Sequence, residues 1–112
     1  MANSFTFVSQ LEWAPGDYRY GATFSAESIE VLASRFSASI HSFVEPGLGP
    51  ARCFALRMRD GRQVAIEQYE DKDVNLIVLF ENGRCSITEI RNTLAALKIP
   101  PEAIKWLAPE AE

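Results

Sequence analysis

The sequence predicts a single α+β domain over residues 1–112. It is read as an antiparallel sheet of four to five strands, in the order β-α-β-β-β-β-α-α, with helices packed on one face. Three observations predict this. Between Arg52 and Phe80 three extended apolar stretches follow one another, separated by turn signals. Before them stands a helical stripe, Ile29, Leu32, Ala33 and Phe36, spaced i, i+3, i+4 and i+7. After them a second helix opens on Ser86 with Glu89 three residues on, the pattern of a capping box. Strands grouped in the middle of a chain, with helices outside the group, favour an antiparallel sheet over a parallel one.

The central hairpin fixes its own register. Phe54, Leu56 and Met58 alternate with Ala55, Arg57 and Arg59, and Val64 and Ile66 alternate with Gln63, Ala65 and Glu67, as half-buried strands do. A two-residue loop at Asp60-Gly61 would set Arg57 against Val64 and mix the faces. A three-residue loop, Arg59-Asp60-Gly61, pairs Leu56 with Val64, Phe54 with Ile66 and Arg57 with Gln63. It also puts Gly61 at the left-handed position of the turn, where glycine is least strained. In the third strand Leu76, Val78 and Phe80 lie on one face, while Ile77 and Leu79 fill the other. A strand apolar on both sides belongs at the centre of a sheet or has both faces covered.

The remaining elements follow in chain order. Phe5, Phe7, Leu11 and Trp13 share one parity and predict a strand over residues 4–12. Residues 14–24, with the turn signal Pro15-Gly16 and several aromatics, are expected to form an ordered loop. Ser25 is placed as the cap of a helix over 26–36, with Glu27 in its first turn. Residues 38–44 form a weaker strand, and residues 45–50 a Pro/Gly loop. The four strands from 38 to 80 are expected to run as a meander. The second helix buries Ile87, Ile90, Leu94 and Leu97 behind a Cys85–Ile90 staple and ends near Lys98, because Pro100 disfavours helix at Ile99. Pro101 then opens a short last helix that docks through Ile104 and Leu107, with Trp106 covering its edge, until Pro109 ends it.

Composition narrows the function classes. The chain is 47% hydrophobic with a net charge of −4, globular in character and poorly suited to nucleic acid. No apolar run nears the ~20 residues that span a bilayer, so no membrane role is expected. No signal-peptide pattern opens the chain, and the two cysteines are too few for a disulfide framework. Both features predict a cytoplasmic protein with reduced thiols.

No catalytic or cofactor motif is present, and no metal or cofactor is expected. Gly47-Leu-Gly-Pro lacks the lysine and helix of a phosphate loop, and a single histidine argues against a zinc site. His41 is the one imidazole; on a strand it could meet Glu67 or Tyr69 across the sheet. Cys53 and Cys85 are read as structural, and Glu70, Asp71 and Asp73 as a solvated turn. Arg57 and Arg59 project from the polar face of the hairpin, where they could take an anion or protect an edge. Trp13, Asp17, Tyr18, Arg19 and Tyr20 form the richest polar-aromatic set, of the residue types found at binding hot spots.

The sequence therefore points to a non-enzymatic protein-binding module, an inhibitor or antagonist of a basic partner. The alternative is a small-ligand protein or small enzyme, with Phe7, Trp13, Tyr20, Phe43 and Tyr69 lining a pocket between the curved sheet and its helix. A homodimer through the face of Ile77 and Leu79 is a further expectation, because helices on one side of a sheet leave the other apolar face to be covered.

Overall fold

A computed structural model describes residues 5–9, 18–25, 28–47, 49–58, 61, 63–70, 75–81 and 86–107. Seven strands, β1 (Thr6–Val8), β2 (Tyr18–Ser25), β3 (His41–Glu45), β4 (Gly49–Arg57), β5 (Gln63–Tyr69), β6 (Asn75–Glu81) and β7 (Ile104–Leu107), form one antiparallel sheet. Among the described residues two helices, α1 (Ile29–Ser34) and α2 (Ile87–Ala96), accompany it, and a 3-10 turn at Pro101–Ala103 leads into β7. The spatial order is β1-β4-β5-β6-β2-β7, with β3 also paired to β4. β1 and β3 share one edge of β4, opposite Ala55–Arg57 and Gly49–Cys53 respectively.

The hairpin forms in the expected register. Leu56 pairs with Val64, Phe54 with Ile66 and Arg57 with Gln63. Gly61 has a φ of 94° and donates its N–H to the Met58 carbonyl at 2.9 Å. The run β3-β4-β5-β6 is the expected meander. Phe54, Leu56, Val64, Ile66, Leu76, Val78 and Phe80 build one core with Ile29, Leu32 and Ala33 of α1 and Ile90, Leu94 and Leu97 around α2. Each fully buried aromatic or aliphatic side chain there contributes about 1.5–3 kcal/mol of burial free energy.

Three expectations are corrected. Residues 18–25 are not loop but strand β2, inserted between β6 and β7. The order is therefore β-β-α-β-β-β-β-α-β, with seven strands rather than four or five. Tyr18, Tyr20, Ala22 and Phe24 do alternate with Arg19, Gly21, Thr23 and Ser25, but Gly21 in the middle reads as a breaker. Gly21 is a bulge: Tyr20 pairs with Leu79 and Ala22 with Val78, leaving Gly21 as the extra residue.

The last helix opens at Pro101 as expected but ends after one 3-10 turn, and Ile104–Leu107 continue as β7. Ile104 and Leu107 have helical i, i+3 spacing, yet Trp106 pairs with Thr23 and Ile104 with Phe24, so Lys105 is bulged out. One inserted residue lets positions three apart in a strand pack on the same core, which they do here. Finally, α1 starts later than predicted. Its cap is Ser28, whose Oγ accepts the Val31 N–H at 3.0 Å, rather than Ser25. The strands expected at 4–12 and 38–44 are described as Thr6–Val8 and His41–Glu45, and residues 10–12 lie outside the described set.

α2 carries the expected capping box. Glu89 N–H donates to Ser86 Oγ at 3.1 Å, and Ser86 N–H donates to Glu89 Oε1 at 2.9 Å. Cys85, its predicted staple residue, lies outside the described set. Both helices run out through a non-glycine residue in the left-handed region, Ser37 at φ 56° and Lys98 at φ 68°. Behind them Ala38 N–H reaches the Ala33 carbonyl at 3.0 Å and Ile99 N–H the Leu94 carbonyl at 2.9 Å. A side chain in that region is strained, and glycine is not. Ser37→Gly and Lys98→Gly should each stabilise the fold by about 0.5 kcal/mol, the relieved strain less the added chain entropy. A higher urea midpoint at unchanged slope is the expected reading.

Candidate binding face

Antiparallel pairing sets partner residues side by side on one face. One row crosses six strands on the face away from the helices: His41, Cys53, Glu67, Ile77, Thr23 and Trp106. At ~4.8 Å per strand it is about 24 Å long. Small residues pave this face over β4 and β5: Ala51, Cys53, Ala55 and Ala65 are all buried, and so is Gln63 at 2% exposure. Gln63 is covered even though its row runs on to half-buried Arg57 and exposed Thr6. Leu79, at 6% exposed, is also already covered within the chain, while Ile77 is half-buried.

The polar end of the row is quiet chemically. Burial, and secondarily the charge of Glu67, push the Cys53 thiol up to about 12. A nucleophile needs the opposite shift. Cys53 stands in register between His41 and Glu67, and Tyr69 donates its hydroxyl to Glu67 Oε1 at 3.3 Å along the same strand. His41 therefore faces Cys53 and stands two strands from Glu67, rather than meeting Glu67 or Tyr69 directly across the sheet. Because the folded thiol titrates above its ordinary value of 9.0, the unfolded chain loses that proton first. The stability this site contributes is complete below pH 9 and lost as pH rises toward 12. Unfolding midpoints measured across that window should fall, and Cys53→Ala should flatten the fall.

Arg52 and Arg57 make contacts within the chain. Arg52 pairs with Glu30 of α1 and donates Nη2–H to Gln68 Oε1 at 3.3 Å, which ties the helix to the sheet. Arg57 donates Nη1–H to the Gly61 carbonyl at 3.5 Å, across its own hairpin. Arg59 lies outside the described residues, as do Trp13 and Asp17. The pocket lining predicted from sequence does not form one wall. Phe7 pairs with Leu56 on the helix side, whereas Phe43 and Tyr69 share a row through Ala51 on the other.

The apolar end of the row is where the surface opens. Trp106 is 46% exposed on β7, the outermost strand, with half-buried Thr23 and Ile77 beside it. Among the described residues β7 pairs with Ala22–Phe24, and Tyr18, Arg19 and Tyr20 continue β2 past the end of that pairing. The fold therefore brings three of the predicted binding residues to the same sheet edge as a tryptophan some 85 positions away. Trp106 was missed as a site residue because the i, i+3 spacing of Ile104 and Leu107 assigned it to a helix. Its own signal was the residue type, a large amphipathic ring flanked by Lys105.

Among the described residues no three metal-ligating side chains gather, and no helix is long and apolar enough to cross a membrane. No family model, curated protein or solved structure matches the chain.

Proposed function

We propose that this is a non-enzymatic binding module of the cytoplasm that docks a protein partner on the β2–β7 edge, with Trp106 as the anchor. The observation that carries the reading is an exposed tryptophan on an edge strand, continued inward by Thr23 and Ile77. Tryptophan is the residue type most enriched at binding hot spots, and a half-exposed ring gains most from being covered. The net charge of −4 favours a basic partner over nucleic acid, and an inhibitor or antagonist of such a partner fits this size and charge. A second copy of the chain is the other protein occupant this edge admits, in place of the Ile77–Leu79 face, since Leu79 is covered.

The test places a photo-crosslinking amino acid at position 106 in the cells that make the protein. One discrete adduct, a basic protein or a second copy, is expected, and no adduct above background would contradict the proposal. Against the partner so identified, Trp106→Ala should weaken binding by about 2 kcal/mol or more, roughly thirtyfold. Its thermal midpoint should stay close to the parent's, because the ring is half in water.

A further inference from the structure

We infer that the segment from Ile99 through β7 is exchangeable, so that two copies can trade it and each complete the other's sheet.

The case begins at the hinge. α2 ends against Lys98, whose φ of 68° is a conformation that a lysine side chain strains. Pro100 follows at φ −70° and ψ 150°, and Pro101 follows it. The residue before a proline prefers extended geometry, which favours it at Ile99 and at Pro100. The link is short, stiff and strained at one residue, which is the condition that invites exchange. Opening at Lys98 releases the strain and extends the chain into Ile99 and Pro100, which the following prolines already hold extended.

The exchanged piece is suited to leave. Beyond the hinge it holds the core through Ile99, Ala103, Ile104 and Leu107, and of these only Ile99 is fully buried. Its strand is four residues long, makes three pairs with β2 as its one partner among the described strands, and is interrupted at Lys105. All of these contacts re-form in the partner, so the hinge decides the balance between closed and exchanged forms.

The outer edge of β7 argues for exchange over simple edge-to-edge pairing. A bulge carrying an exposed lysine on a very short strand is how sheets block a neighbour's strand. Exchange avoids that obstacle, because it reuses the pairing between β7 and β2.

Thr23 and Trp106 stand directly opposite across this joint. Antiparallel partners lie within disulfide reach. Two single-cysteine proteins, Thr23→Cys and Trp106→Cys, are made in a background with Cys53→Ala and Cys85→Ser. They are incubated together at high concentration, diluted and oxidised. Exchange predicts a 23–106 disulfide joining the two chains, identified by mass. Adding Lys98→Gly to both should lower its yield about fivefold, the combined strain of two hinges. If both proteins remain folded and only 106–106 species or no cross-links appear, the inference is overturned. A 23–106 yield unchanged by Lys98→Gly overturns it equally, since the hinge would not be driving exchange. A chain carrying both Thr23→Cys and Trp106→Cys should close within itself when dilute; failure to do so also counts against it.

Discussion

Phe24→Ala will cost about 3–5 kcal/mol, the largest loss expected from any single truncation in the segment between Tyr18 and Ser25. Phe24 is fully buried, pairs with Leu76 on one side and Ile104 on the other, and sits in the core that both helices cover. Truncation removes the whole ring and leaves a cavity that a sheet flanked by paired strands closes poorly. Small domains are stable by only about 5–15 kcal/mol, so a large share of the margin disappears. Urea unfolding followed by circular dichroism gives the number directly. A loss below about 1 kcal/mol would be the behaviour of a surface position and would remove β2 from the core.

Gly21→Ala is the second. A Cβ at this position would stand 2.7 Å from Phe80 Cδ1 and closer still to Cε1, well inside van der Waals contact. Phe80 is 1% exposed, so its ring has no free space to turn into. Overpacking of this kind costs about 1–3 kcal/mol. The cause is checked by a double-mutant cycle. In a Phe80→Leu background the alanine should be tolerated better, so the two losses sum to more than the loss of the double variant. Equal and additive losses would mean that the ring is not what excludes a side chain at Gly21.

Gly21 and Lys105 also explain where the sequence stopped being legible. The hairpin from Phe54 to Ile66 could be read to the residue because its alternation is unbroken and a one-residue slip would expose every apolar side chain. The capping box of α2 was legible because its signal is local. β2 and β7 were misread for one shared reason, since each contains a bulge. In β2 a glycine interrupts real alternation, and in β7 an inserted lysine turns strand spacing into an imitation of helix spacing. Periodicity rules assume one residue per step, and a bulge adds one.

The candidate site was half legible for the same reason. Tyr18, Arg19 and Tyr20 stood out by residue type, but nothing local placed them in a strand beside Trp106. That neighbourhood comes from long-range pairing, with β2 held between a strand from residues 75–81 and one from residues 104–107. His41 does not meet Glu67 or Tyr69 across the sheet: it pairs with Cys53, which stands between it and Glu67, while Tyr69 pairs with Ala51. The buried thiol between His41 and Glu67 could not be read, because its burial depends on how the second face is covered.

The insertion of β2 between β6 and β7 is measured most directly by cross-strand nuclear Overhauser contacts in solution. Thr23 should show backbone contacts both to Ile77 and to Trp106, and Phe24 to Leu76 and Ile104, with amides of 22–24 protected from exchange. Sequential contacts alone over residues 18–25, with rapidly exchanging amides, would contradict the fold and the binding edge together.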